Sequence, residues 1–203
     1  MFRSYSETST KETIDLIIRL AYIAELKEWD NRTHLERIRR YTYAIVSEMG
    51  MTQQDIDVIT NASMLHDIGK SQLPDTLLGK TGNFNKEEWA VVEAHTSYGA
   101  TILGGSTSPI LQTAEIIALT HHERWNGTGY PRKLKREEIP MTGRIVAVAD
   151  VFDALITPRP YKQPVDPANG LKVIQEASGT LFDPLIVQIF SDKFNDIMRG
   201  ISG

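Results

Sequence analysis

Along almost the whole of this 203-residue chain the apolar residues return at intervals of three and four, and runs that alternate apolar and polar over the length of a strand are scarce. That period puts one apolar stripe on each helix, and the stripe must be covered by another, so the expected fold is an all-α helical bundle. The periodicity predicts helices over 8–28, 34–48, 52–69, 86–103, 109–121, 142–156, 167–177 and 184–198, with Ile14, Ile17, Ile18, Ala21 and Ile23 on or near one face of the first. Thr52 with Asp55 and Asn85 with Glu88 stand three apart, as in capping boxes that satisfy free backbone N–H groups at a helix start. The stretch holding Pro74, Gly79 and Gly82 and the stretch Asn126-Gly-Thr-Gly-Tyr-Pro131 are dense in turn formers and are expected to be loops. No internal repeat or linker interrupts the pattern, so one globular unit is expected.

Composition narrows the partners. Hydrophobic residues are 41% and charged residues 24%, ordinary for a chain that buries a core, and the net charge of -4 argues against a nucleic-acid polymer or an anionic membrane. An anionic substrate would have to be held by local positive charge. No apolar stretch is long enough to span a bilayer, and the first ten residues are polar, unlike a secretory signal. The absence of cysteine excludes thiolate metal sites and fits the expected cytoplasmic setting.

The chemistry lies in the histidines. All five, His34, His66, His95, His121 and His122, fall in polar contexts beside carboxylates. Asp30 and His34 are four apart, His66 and Asp67 adjoin where the third helix is expected to end, His95 is expected mid-helix, His121 and His122 close another helix, and Asp150 and Asp153 are three apart on the helix after the loop. Facing helices of a bundle can gather such side chains, and a mixed imidazole and carboxylate set suits a transition-metal centre. Each residue alone has a plainer reading. A single helical histidine such as His95 is commonly a core or surface residue, and Asp30 and Asp153 read equally well as caps or surface charges.

The combination resembles a known family. His66-Asp-Ile-Gly-Lys70, then His121-His-Glu-Arg-Trp-Asn-Gly-Thr-Gly-Tyr-Pro131, are similar to the signature segments of the HD-GYP domains, cyclic dinucleotide phosphodiesterases within the HD phosphohydrolases. His34-Leu-Glu-Arg, the segment around His95, Asp150-Val-Phe-Asp153, Arg159-Pro-Tyr-Lys162 and the closing turn at 179–184 match in the same order. The resemblance implies that His34, His66, Asp67, His95, His121, His122 and Asp150 ligate metal, with Asp67 bridging two ions and Asp30 a further candidate. His/carboxylate sites accept iron, manganese and other ions according to supply, with iron or manganese the expected occupants here. The resemblance also implies that Lys70 acts in catalysis and touches substrate phosphate, that Arg159, Lys162 and Tyr130 lie on the substrate side, and that Asp153 stands either behind the metal ligands or on the substrate side. Residues 30–203 would be the catalytic domain and 1–29 a helix packed on it. The expected reaction is opening of cyclic di-GMP to linear pGpG, and onward to GMP, by a hydroxide between the metals.

Two departures from the family pattern matter. Asn126 replaces a usual aspartate, which keeps the turn but drops a charge. Asp30 stands where members with three ions place a glutamate, one methylene longer, so two ions are expected and a third is disfavoured. Two other functions fit the same residues: a slow or inactive cyclic-dinucleotide-binding module that signals to a protein partner through the loop from Gly127 to Pro131, or an HD-type metalloenzyme of different substrate.

Overall fold

The computed structural model describes residues 3–24, 31–80, 82–158 and 163–199. Among them the regular elements are helical: α1 Arg3–Ala24, α2 Asn31–Val46, α3 Gln53–Ala62, α4 Asp75–Leu78, α5 Lys86–Glu93, α6 His95–Leu103, α7 Pro109–Thr120, α8 Met141–Ile156, α9 Pro167–Glu176 and α10 Pro184–Arg199. Short 3-10 turns cover Ser63–Leu65, Ile68–Gln72 and Arg136–Glu138. Helix starts follow the local chemistry. Thr52 accepts the Asp55 N–H at the head of α3, the Asn85–Glu88 capping box opens α5, and proline stands in the first turn of α7 and α9.

Two expected helices are broken, and both breaks serve the site. The helix expected over 52–69 ends at Ala62 and gives way to 3-10 turns, and that expected over 86–103 divides at Ala94, so His95 opens α6 instead of sitting mid-helix. At both breaks side chains take backbone carbonyls. The His95 ring takes the Val92 carbonyl at 2.6 Å and Thr96 Oγ1 takes that of Glu93 at 2.9 Å. Ser63 Oγ does the same to Thr60 at the end of α3, at 2.8 Å. The loop expected around Pro74 and Gly79 also contains the single turn α4.

Two apolar clusters hold the bundle. One packs Ile38, Tyr41, Ile45, Phe152, Ile174, Ile186 and Phe190 between α2, α8, α9 and α10. At its centre the Phe152 ring meets Tyr41 and Phe190 edge-on, with centroids 5.4 and 4.9 Å away. The other joins Ile17 and Ala21 of α1 to Leu35, Leu65, Ile117, Ala118 and Val146. α2 and α8 feed both clusters, and these are the helices that carry His34 and Asp150. Ile23 is a correction. Expected near the buried face of α1, it is 60% exposed, because two residues beyond the buried Ala21 is almost the opposite side of a 3.6-residue turn.

Candidate metal centre

Seven of the expected ligands converge in two groups. Asp67, His95, His121 and His122 form one, and His34, His66 and Asp150 the other, with the ligand atoms of each group within 4.8 Å of one another. The groups adjoin through His66, whose Nε2 lies 3.2 Å from Asp67 Oδ2 and 3.9 Å from Asp150 Oδ1. The approach of the backbone at Gly69 draws the first group together: a Cβ there would stand 1.9 Å from the His95 carbonyl oxygen and 2.4 Å from the Gly99 nitrogen. Glycine lets the turn that carries Asp67 and Lys70 press onto the head of α6, where His95 sits.

The rings are oriented by what meets Nδ1. His66 Nδ1 donates to the Ser63 carbonyl at 3.0 Å, His95 Nδ1 to Val92, and His121 Nδ1 to Ile117 and Ala118 at 3.0 and 3.1 Å. A carbonyl only accepts, so Nδ1 carries the proton and a neutral ring keeps its lone pair on Nε2. The consequence is a buried knot of acceptors. Nε2 of His95 and His121 lie 3.5 Å from each other, and 3.3 and 3.6 Å from Asp67 Oδ1, which makes no well-formed hydrogen bond. Burial pushes the His121 and His122 pKa values down, against protonation that would relieve the knot. A divalent cation would relieve it instead, so the donor set fits a metal, and the mixture of imidazole and carboxylate oxygen fits a first-row transition ion.

Charge is arranged around the two carboxylates. Burial would raise the Asp67 carboxyl, but Lys70 Nζ, 2.6 Å from Oδ2, and His66 hold it well below the usual range. Asp153 is buried, and its oxygens are taken by His34 Nδ1 at 2.7 Å, Arg37 at 2.6 and 2.9 Å and the Tyr41 hydroxyl at 3.3 Å. Burial would raise Asp153 too, yet Arg37 and His34 bring it down to about 2. Asp153 therefore backs His34 and does not face substrate. Two places were expected for Asp153, behind the ligands or on the substrate side, and the geometry favours the first, since its oxygens are engaged in the interior.

The loop after α7 closes over the first group. Glu123 is buried and accepts the N–H groups of Arg132 and Leu134 at 2.7 and 3.0 Å, which folds the segment back on itself. A Cβ at Gly129 would lie 2.4 Å from the Arg124 nitrogen, so this position too needs glycine. Tyr130 stacks on His122, centroids 4.8 Å apart, and burial and then Asp67 keep its phenol protonated. The Asn126 side chain accepts both the N–H and the hydroxyl of Thr128, at 3.0 and 2.7 Å, a turn that needs no negative charge. Trp125 and Asn126 donate to the carbonyls of Leu181 and Thr180, tying the loop to the closing turn. Asp30, Arg159 and Lys162 lie outside the described residues. Sequence reasoning missed Arg37 and left Glu123 without a role. Arg37 stands three residues after His34, a spacing that signals a shared face but not a partner on α8.

A sequence profile described as HD domain matches residues 19–186. The chain belongs to the HD-domain family. Its His-Asp, His-His-Glu and Gly-Tyr-Pro segments place it in the HD-GYP branch. This HD-GYP chain is 45% identical over 183 residues to a cyclic di-GMP phosphodiesterase of Thermotoga maritima, covering 89% of this chain and 50% of that protein. It is 36% identical over 184 residues to 3'3'-cGAMP-specific phosphodiesterase 2 of Vibrio cholerae, covering 91% and 35%. The chain thus spans half the length, or less, of these two curated relatives. Its fold matches the crystal structure of a cyclic GMP-AMP-specific phosphodiesterase from V. cholerae with a TM-score of 0.71 at 18% identity, over 94% of this chain and 51% of that one. No helix among the described residues is long and apolar enough to cross a membrane.

Proposed function

We propose that this HD-GYP domain is a metal-dependent phosphodiesterase that opens a 3′,5′-cyclic dinucleotide, cyclic di-GMP above others, to the linear dinucleotide pGpG and onward to GMP. The observation that carries this reading is the pair of adjoining donor groups, joined through His66 and Asp67, with the Lys70 ammonium against Asp67. His95, His121, His122 and Asp67 would hold one divalent ion and His34, His66 and Asp150 a second, with Asp67 shared. Iron and manganese are among the ions that such a mixed imidazole and carboxylate set accepts. Two such ions supply Lewis acidity, an acidified water and charge neutralisation at phosphate.

The protein groups supply the rest. Lys70 offers N–H donors to a nonbridging phosphate oxygen and stabilises negative charge that grows there. Tyr130, neutral and stacked on His122, lines the approach with a phenol donor. Arg159 and Lys162 are assigned by family resemblance to the remaining phosphate. The loop around Gly129 is walled by Glu123 and Arg124 and turns Tyr130 toward the centre, which supports a role in this site and not as a dock for a protein partner. The names of the Thermotoga and Vibrio relatives both carry a GMP unit, which supports guanine in at least one half of the substrate.

The test is a panel of cyclic di-GMP, 3′3′-cyclic GMP-AMP and cyclic di-AMP, incubated with Mn²⁺- or Fe²⁺-loaded protein and resolved by chromatography. Many turnovers to a linear product, fastest with cyclic di-GMP, support the reading. Tight binding with all three substrates intact would reject the enzyme and favour a binding module.

A further inference from the structure

His34 is held differently from the other histidines whose Nδ1 partner is defined. His66, His95 and His121 each give Nδ1–H to a carbonyl three or four residues back on their own segment, whereas His34 gives it to Asp153 Oδ2, 119 positions away on α8. That carboxylate has a second guardian on the same helix as His34. Arg37 grips it with two N–H groups, Nε on Oδ1 at 2.6 Å and a terminal nitrogen on Oδ2 at 2.9 Å, and the same terminal nitrogen also reaches Thr157 Oγ1 at 3.0 Å. His34 and Arg37, one turn apart on α2, therefore meet one buried carboxylate, with the Tyr41 hydroxyl as a third anchor at 3.3 Å.

From this geometry we infer that Arg37 is a positioning residue for one of the two metal positions: its fork locks the plane of the Asp153 carboxylate, which sets the His34 ring with Nε2 turned toward His66 and Asp150. The inference rests on the metal-centre reading above and deepens it by making the two positions unequal. A carboxylate with one fixed oxygen for His34 Nδ1 defines both the tautomer and the ring angle. A guanidinium suits this task because two parallel N–H groups fix a carboxylate in its plane, which a single ammonium cannot do. Outer partners of metal-ligating histidines typically govern metal affinity by roughly 10- to 100-fold. The His95 and His121 side of the centre, oriented by its own backbone, does not depend on Arg37.

The experiment measures metal, not turnover. Metal-free parent, Arg37→Met, Arg37→Lys and Arg144→Met proteins are titrated with Mn²⁺, bound metal is counted by equilibrium dialysis, and the EPR spectrum separates coupled from isolated Mn²⁺. Arg144→Met is the control, since Arg144 pairs with Asp183 at 2.6 Å in a comparable partly buried bridge that touches no proposed ligand. The parent should bind two ions with a coupled spectrum. Arg37→Met should hold one ion at parent affinity, bind the other roughly 10- to 100-fold more weakly and show isolated Mn²⁺. Arg37→Lys should recover only part of the loss, and Arg144→Met should melt earlier while keeping two coupled ions. If Arg37→Met does not fold, the double variant Arg37→Met/Asp153→Asn removes both buried charges together and leaves an amide free to present either its oxygen or its nitrogen to His34, so weak binding at one position is again expected. Parent-like affinity at both positions in either variant, whatever its melting temperature, overturns the inference and leaves the metal centre standing. A parent protein that cannot bind two ions overturns the metal-centre reading itself, and the inference with it.

Discussion

The two halves of the centre differ in how far away the groups that aim their side chains lie. Around Asp67 the ligands sit where helices stop: Asp67 between two 3-10 turns, His95 at the first residue of α6, His121 at the cap of α7. Each of these two imidazoles is aimed by a carbonyl within four residues of itself, so its orientation is a property of a short segment. In the other half His66 is also aimed locally, by the Ser63 carbonyl, but His34 and Asp150 stand within long helices, and His34 is aimed by a carboxylate on a different helix, itself held by Arg37. The difference teaches where each half is vulnerable. A locally aimed ligand fails when its own segment is disturbed, and a remotely aimed one fails when helix packing or a distant charge is altered.

Removing the shared carboxylate should break both halves at once. Asp67→Ala is expected to lose both ions and to lower turnover of cyclic di-GMP by more than roughly 10³-fold, the worth of several kcal/mol of metal assistance. Elemental analysis and single-turnover kinetics check it, and full metal content with normal turnover would exclude Asp67 from the bridging role. Next in size is Lys70→Ala, expected to cut kcat by about 10²- to 10³-fold while both ions stay bound. An effect confined to KM would make Lys70 a binding group only.

Gly69→Ala sharpens the comparison from the local side. The new methyl must displace the His95 carbonyl or the Gly99 backbone, so the fold should lose about 1–3 kcal/mol, and the damage should fall on the Asp67 half. Chemical denaturation measures the first effect. Loss of the ion that Arg37→Met retains would show the second, whereas loss of the other ion would contradict the division drawn above.

The remote side has its own pH signature. Asp153 titrates at about 2 in the fold against an ordinary unfolded value near 3.9, so its ion pair contributes fully above about pH 4 and is lost as the pH falls through the folded value. That amounts to about 2–3 kcal/mol. Denaturation of metal-free protein between pH 4 and pH 2 should show this slope, and the double variant Arg37→Met/Asp153→Asn should show it flattened. An unchanged slope would mean that other carboxylates carry the acid sensitivity.

Much of this was legible in the sequence. Helix period marked most elements to within a few residues, and the caps at Thr52 and Asn85 follow from backbone N–H groups that a nearby side chain can reach. Chemistry and spacing also singled out the histidines and aspartates that converge. The breaks at Ala62 and Ala94 were not legible, because apolar periodicity continues through them, and the carbonyl contacts of His95, Thr96 and Ser63 that accompany them have no signature in residue spacing. Asp153 was left between two positions because a carboxylate near a site looks alike from either side until its neighbours are known.

Helical character and the donor inventory were thus determined by the sequence alone, since both depend on residue identity and on neighbours within about a turn. Which donors share a position was decided only by packing, of the Gly69 turn on α6 for one group and of α2 against α8 for the other, and the second contact also turns His34 toward its partners. An imidazole becomes a ligand through whatever occupies its other nitrogen, and for His34 that group lies 119 residues along the chain.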